Sequence, residues 1–376
     1  MIETDVTVGA GMKVVVARDA LVARLGIVAR AVSTRTAMQV LSGVLLRAEA
    51  GQLHLAATDM ELSLRSSLEA SVEGEGAVVV PGRLLVELAR LLPVGEVQIE
   101  HRADEGVVRI EAGSASYRLH TYAVEDFPRL PELDAVGTFA VDRAALLETI
   151  ARVSRSASRD ESRPVLTGIL ARFAGGTLTM VATDSYRLSV KETPLQGEAP
   201  ELDAIVPSRA LGELQRIASE GDTIELGVHE NQVVFGSSGV WLTTRRIDGQ
   251  FPNYKQLLPE TYEHELTLPR AELLEVVRRT SVMAQRNSPL RLRFAEGELT
   301  VSAQTADVGE ARESLPIAFT GEPLEIGFNA DFLRAGLESV SADEIKLRLI
   351  SPLRPGLLHS DEDAFSYLIM PIRLAG

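Results

Sequence analysis

The sequence predicts an α+β protein of three homologous domains, each with two helices on antiparallel sheet. Three observations predict it. The chain has 376 residues, beyond the roughly 250–300 at which a single hydrophobic core stops growing. One pattern of turn, strand and helix recurs three times in the same order. Within each copy, stretches of alternating apolar and polar residues are interrupted by two stretches of helical periodicity, the signature of helices packed on a half-buried sheet.

The first recurring segment is a Gly-led hairpin. GQLHLAATDMELSLR from Gly51, GTLTMVATDSYRLSVKE from Gly176 and GELTVSAQTADVGEARE from Gly297 begin 125 and 121 residues apart. Each alternates apolar and polar residues, as half-buried antiparallel strands require. The second is a short apolar strand running into a helix: VVVPGRLLVELARLL around Val80, AIVPSRALGELQRIA around Val206 and IGFNADFLRAGLESV around Phe328. A Pro or Asn stands at the start of each of these helices, and apolar residues follow at helical spacing, among them Leu84, Leu85, Leu88, Leu91 and Leu92.

A further helix is built around Leu21, Leu146 and Leu273, and each copy closes on a proline segment at Pro128, Pro252 or Pro371. The domains are therefore expected at 12–133, 139–259 and 263–376, each running helix, strands, helix, strands. Residues 1–11 precede the first copy and are expected to be a disordered extension.

Composition excludes several chemistries. With no cysteine, disulfides, thiolate metal ligands and thiol nucleophiles are ruled out. His54, His101, His120, His229, His264 and His359 show no metal-ligand spacing, and no GxxxxGK phosphate loop occurs. No metal and no cofactor are expected. No apolar run reaches the ~20 residues of a membrane span, and the first residues lack a signal peptide's basic and apolar regions. A cytoplasmic location without membrane contact is expected.

The net charge of −15 is unevenly placed. Helices expected at 18–35, 81–92, 142–159, 207–219, 269–286 and 329–340 carry 17 arginines, no lysine and 9 acids, or +8, leaving −23 for the rest. An acidic protein with one basic helical layer can hold a polyanion there while its other surfaces repel it. Phosphate attraction of this kind carries no base specificity.

With these residues in view, the chain resembles the beta subunit of bacterial DNA polymerase III, the beta sliding clamp family, from Met12 to Leu374. VATDSYRLSV at Val181–Val190, DGQFPNYKQLLP at Asp248–Pro259 and YLIMPIRL at Tyr367–Leu374 carry the resemblance, in order and in triplicated register. The resemblance implies a DNA clamp fold that closes head to tail as a homodimer into a six-domain ring, with the basic helices around the hole. It implies a non-enzymatic processivity factor for DNA replication that encircles double-stranded DNA and tethers the replicative polymerase. The clamp loader and other clamp-motif proteins are the further partners it implies.

The same resemblance implies a peptide-binding groove formed by Leu166, Thr183, Ser185, Tyr186, Arg187, Leu188, Pro252, Leu257, Leu353, Pro355, Leu368, Met370, Pro371, Ile372 and Arg373. A mostly apolar set with a few polar anchors suits capture of hydrophobic peptide side chains. The family commonly has Gly-His where this chain has Ser185-Tyr186, which implies a bulkier wall. DNA contact is implied for Arg35, Arg159 and Arg163, and subunit contact for Tyr117 and Leu119 against Val282 and Met283. For those last four, ordinary core packing is the alternative.

Two other functions compete. A hydrolase would use the Asp of the repeated Ala-Thr-Asp, Asp59 or Asp184, as acid, base or metal ligand. The third copy replaces this triplet with Ala303, Gln304 and Thr305, and an Asx turn explains the recurrence better. A peptide-binding scaffold that does not encircle DNA would have no need of the basic helical layer.

Overall fold

The structure is a computed structural model that describes residues 11–374 apart from 35–36, 131–136, 197–199, 230, 285–287, 306 and 308. The first repeat runs β1 (Lys13–Ala17), α1 (Arg18–Val28), β2 (Gly43–Glu49), β3 (Gln52–Thr58), β4 (Leu62–Glu69), β5 (Ser71–Gly74), β6 (Gly76–Pro81), α2 (Gly82–Leu91), β7 (Glu96–Arg102), β8 (Val107–Ala112) and β9 (Ala115–His120). The second runs β10 (Phe139–Asp142), α3 (Arg143–Val153), α4 (Pro164–Thr167), β11 (Gly168–Ala174), β12 (Thr177–Thr183), β13 (Arg187–Pro194), β14 (Leu202–Pro207), α5 (Ser208–Ile217), β15 (Thr223–His229), β16 (Gln232–Ser237) and β17 (Val240–Arg245). The third runs β18 (His264–Pro269), α6 (Arg270–Ser281), β19 (Leu290–Ala295), β20 (Glu298–Thr305), β21 (Gly309–Pro316), β22 (Leu324–Phe328), α7 (Ala330–Glu338), β23 (Glu344–Leu349), β24 (Gly356–Ser360) and β25 (Phe365–Ile369).

Two differences from the sequence expectation have local causes. A short strand precedes the first helix of every repeat, too brief for its alternation to stand out. The first helices also stop early, α1 at Val28 where 35 was expected, α3 at Val153 rather than 159, and α6 at Ser281 rather than 286. Val32, Ser33 and Thr34 follow α1, and Ser154, Ser156 and Ser158 follow α3. β-Branched and hydroxyl side chains restrict or compete for the helical backbone. Arg30, Arg155 and Arg159 therefore lie beyond helix ends.

The chain divides into two compact units, residues 1–143 with 209–246, and 144–208 with 247–376. The first unit holds a sheet ordered β5-β1-β7-β8-β9 and one ordered β10-β15-β16-β17-β4-β3-β2-β6. Its α1 packs on α2 through Leu21, Leu25 and Val28, with Leu85 and Ala89 buried opposite. The second unit holds β14-β11-β12-β13-β25-β24-β23-β18 and β21-β20-β19-β22. Its core joins Leu273 and Val277 of α6 to Leu333 and Leu337 of α7, over Phe294, Phe328 and Tyr367. Burial pushes the Tyr367 hydroxyl up to about 12, and that hydroxyl donates to Phe332 O at 2.8 Å. A Cβ on Gly336 would meet the Tyr367 ring at 2.6 Å, so α7 accepts an interior glycine to seat it.

Every pairing is antiparallel, and each eight-stranded sheet crosses from one repeat to the next by one rule. The last strand of a repeat pairs with the third sheet-forming strand of the repeat before it, β17 with β4 and β25 with β13. The edge strand ahead of each second helix is capped by one backbone bond from the segment after the repeat's last strand. Tyr122 N donates to Val79 O at 2.9 Å, Ile247 N to Ile205 O at 2.8 Å, and Ile372 N to Gly327 O at 2.7 Å. Ile372 is thus held as a structural cap as well as lying at the candidate site.

Candidate functional site

The repeated Thr-Asp builds a tight turn. Asp184 Oδ1 accepts from Tyr186 N at 2.9 Å and Arg187 N at 3.0 Å, while the Thr183 hydroxyl donates to Arg187 O at 2.7 Å. Asp59 makes the equivalent bonds to Glu61 N and Leu62 N, at 3.1 and 2.8 Å. These oxygens are engaged with the backbone, as an Asx turn requires. Ser185 takes φ +80° and Met60 +79° at the same place, a left-handed conformation that suits glycine best. Among the described residues, no cluster of three or more His, Asp or Glu could hold a metal ion.

The turn presents Tyr186 to solvent and holds Arg187 back. Arg187 Nε lies 3.0 Å from Asp184 Oδ2, and its guanidinium sits 4.3 Å above the Phe332 ring. Beside it, Leu188 and Leu368 are directly opposite on β13 and β25. They pack with Leu170, Val181, Val190, Ile205, Tyr254 and Leu357 into an apolar floor, against which Val165, Ile247, Phe251, Leu258 and Tyr262 are half-buried. Leu166 and Thr183 are nearly buried. Met370 N donates to Tyr186 O at 2.9 Å, which sets the C-terminal strap beside the turn.

Tyr186, Leu257, Leu353 and Met370 are 61, 48, 62 and 42% exposed. Pro252 and Arg373 are exposed, and Pro355 and Pro371 half-buried. A buried leucine floor and exposed Tyr, Leu and Met side chains can take apolar peptide side chains, and flexible Met370 can adapt to several.

Arg163 also belongs here. Its Nη1 lies 2.9 Å from Ser185 Oγ and its Nε 2.8 Å from Asp160 Oδ2, beside the turn. Arg159 is exposed. Arg35 lies outside the described residues.

Two further exposed hydrophobics are Tyr117 on β9, 42%, and Val282 just after α6, 72%. Leu119 is buried within its own repeat, at 8%, and Met283 is half-buried on the third repeat's core. Large exposed apolar side chains are the informative exceptions in a folded chain. The same criterion picks out Leu84 and Leu91 on α2, 49 and 83% exposed, which sequence reasoning had placed in an apolar helix face.

The first unit holds a matched comparison. Ser63 and Thr243 occupy the cross-strand position of Leu188 and Leu368, and Arg245 that of Met370. The same sheet crossing thus carries hydroxyls where the second unit carries an apolar floor.

Within each unit, several of the arginines on or just after the helices are neutralised by nearby acids. Arg30 and Arg216 pair with Glu213 at 2.6 and 2.5 Å, Arg155 and Arg278 with Glu338 at 2.6 and 3.0 Å, and Arg209 with Asp59 at 2.6 Å. Arg83 and Arg90 of α2, together with Arg159, are exposed without an ion pair among the described residues. Exposed pairs of this kind add little stability, so their main effect is on the local potential.

Family models for the DNA polymerase III beta subunit match in succession: the N-terminal domain at residues 12–131, the central domain at 140–253 and the C-terminal domain at 255–373. The beta sliding clamp of Streptomyces coelicolor is 35% identical over 381 residues, covering 97% of this chain and all of that one. A crystal structure of the Caulobacter crescentus beta sliding clamp with polyethylene glycol bound has a TM-score of 0.92 at 30% identity, covering 97% of this chain and 99% of that one. A sliding clamp from Pseudomonas aeruginosa bound to griselimycin has a TM-score of 0.90 at 29% identity, covering 97% and 100%. With three consecutive domain models and relatives matched end to end, the chain belongs to the DNA polymerase III beta subunit family.

Proposed function

We propose that the protein closes head to tail with a second copy into a ring around duplex DNA and holds replication proteins by short apolar peptides in the groove between Tyr186, Leu257 and Met370. The protein is a processivity factor and not an enzyme. The replicative polymerase, the clamp loader and other clamp-motif proteins are its partners, and the cytoplasm is where it works. Its three domains span 12–133, 139–259 and 263–376.

The observation that carries the groove is the Leu188–Leu368 floor. The equivalent pair in the first unit is Ser63–Thr243, so the apolar character belongs to one junction and not to the shared fold. Arg163, bonded to Ser185 at 2.9 Å, stands beside the groove and is a phosphate ligand as well. Arg83, Arg90 and Arg159, exposed and without an ion pair among the described residues, join Arg163 in contacting phosphate, and Arg35, outside the described residues, is a further DNA contact of this reading. Such contacts slide because they read charge alone.

Fluorescence anisotropy of a labelled clamp-motif peptide tests the groove. Saturable binding that is lost with Leu188→Ser, while the dimer mass in light scattering is kept, is the expected result. Unchanged binding in that variant would place the peptide elsewhere.

A further inference from the structure

The eight-stranded sheet of the first unit carries two neighbouring arginines on the face turned from its helices. Alternation along β2, β3 and β4 points Leu46, Leu53, Leu55 and Leu64 to the buried side, where α1 packs, and Arg47, Ala56 and Arg65 the opposite way. Trp241 of β17 stands directly opposite Arg65, and its indole lies across Gly236, where a Cβ would meet the ring at 2.6 Å. Arg47, Arg65 and Trp241 are half-buried. Ala56, opposite Arg65 on the strand between β2 and β4, leaves a low floor between the two arginines.

The other repeats show what this face lacks. Arg47, Arg172 and Arg293 each stand four residues before a hairpin glycine, Gly51, Gly176 or Gly297. Asp203 lies opposite Arg172 and pairs with it at 2.6 Å, and Glu325 lies opposite Arg293. Ala77 lies opposite Arg47, which makes no ion pair among the described residues. On β4, Ser67 and Arg65 hold the places of Glu192 and Val190 on β13. Where the second repeat has two acids and a valine, the first therefore has an alanine, a serine and a second cation. Glu49, further along β2, lies 3.7 Å from His54. Burial, and then the Arg47 charge, push the Arg65 guanidinium down to about 10, so an anion between the two would relieve their repulsion.

We propose that this face docks an acidic peptide segment of a partner protein, with a carboxylate between Arg47 and Arg65 and an apolar side chain against Trp241. The site is separate from the groove of the second unit and does not depend on that groove's reading. Guanidinium groups hold carboxylates by charge-assisted hydrogen bonds, and the half-buried indole supplies an apolar contact beside them.

Charge selects the occupant. A chain of net charge −15 repels an acidic peptide over most of its surface. Cations gathered where the cross-strand acid is missing then fix the point of contact. Duplex DNA held along the helical layer does not reach them, because α1 packs on the opposite face of these strands.

Trp241 is the one tryptophan of the chain, so its emission reports from this face alone. A blocked synthetic peptide of glutamates around a central leucine, titrated into the full chain at low salt, is expected to shift that emission saturably, and its glutamine counterpart is not. Arg47→Ala is expected to weaken the binding about tenfold, the scale of one charge-assisted hydrogen bond. Ala77→Asp, which gives Arg47 the partner that Arg172 has in Asp203, should weaken it by a similar factor. Both variants should keep the circular dichroism of the parent and its binding of a labelled clamp-motif peptide, which separates a failure here from a failure of the groove. Emission unchanged by the glutamate peptide up to millimolar concentration, equal binding of the glutamine peptide, or a response untouched by both substitutions would overturn the proposal. A thymidine oligonucleotide that shifts the emission at lower concentration than the peptide, and loses that response in Arg47→Ala, would also overturn it and assign the face to single-stranded nucleic acid.

Discussion

Arg152 and Asp363 meet in the interior of the second unit, with Arg152 Nη2 2.8 Å from Asp363 Oδ1 and the two side chains 8 and 6% exposed. α3 of the second repeat is thereby tied to the turn before β25 of the third. Burial alone would raise the Asp363 pKa. The Arg152 guanidinium, the Ser341 hydroxyl and the N–H groups of Ala342 and Ser341 overcome it and hold the carboxyl well below the usual range. Removing Asp363 leaves Arg152 with Glu148 as its one remaining carboxylate and strands the N–H groups of Ser341 and Ala342, so Asp363→Ala is expected to cost about 3 kcal/mol. Arg152→Met with Asp363→Leu should cost less than Asp363→Ala, and thermal unfolding of the three proteins compares them.

The pH dependence of that pair follows from its sign. A carboxyl depressed in the folded state contributes stability above its unfolded pKa of about 3.9, and that contribution is lost as pH falls from there through the folded value. Asp363→Asn should therefore flatten the fall in unfolding temperature below about pH 4 while lowering stability at neutral pH. An acid limb as steep in the variant as in the parent would remove Asp363 from the account.

Converting the groove floor into its first-unit counterpart tests the groove without inventing a new packing. Leu188→Ser with Leu368→Thr is expected to raise the dissociation constant of a clamp-motif peptide by about a hundredfold, the scale of burying one to two leucine side chains. Dimer mass should not change. Peptide binding that survives the double substitution would contradict this floor.

Removing Met370 to Gly376 is expected to abolish peptide binding and leave the dimer intact, because the expected subunit contacts Tyr117, Leu119, Val282 and Met283 lie outside that strap. Some stability goes with the Ile372 N to Gly327 O bond, about 1 kcal/mol for a single hydrogen bond. Loss of the dimer in the truncated chain would put the strap in the wrong interface.

Ser185 pays for its left-handed backbone. Ser185→Gly should raise stability by about 0.5–1 kcal/mol, the strain relieved exceeding the chain entropy that glycine adds. Ser185→Val should lower it, since a β-branched residue is a genuine outlier at positive φ. Denaturant midpoints of the two variants, moving in opposite directions, are the check.

The repeat architecture was legible because three copies of a hairpin and a helix start repeat with nearly one spacing, so each weak signal was read three times. The Thr-Asp turn was legible for the same reason: Asp59 and Asp184 recur where the backbone needs an acceptor. Helix ends were less so, because Ser154 and Ser156 end α3 by competing for backbone bonds that apolar spacing does not register. The bond between Arg163 and Ser185 and the exposure of Leu84 and Leu91 were not legible at all. Arg163 reaches Ser185 only through the fold that brings the two together. Leu84 and Leu91 read as apolar helix positions, and the structure leaves them exposed.

Retention on circular DNA tests the ring most directly. The protein is placed on nicked plasmid by a cognate clamp loader, washed at high salt, and measured again after the plasmid is linearised. Topological enclosure predicts retention on the circle and rapid loss from the linear form. Equal, salt-sensitive loss from both would mean electrostatic contact without a closed ring and would contradict the account.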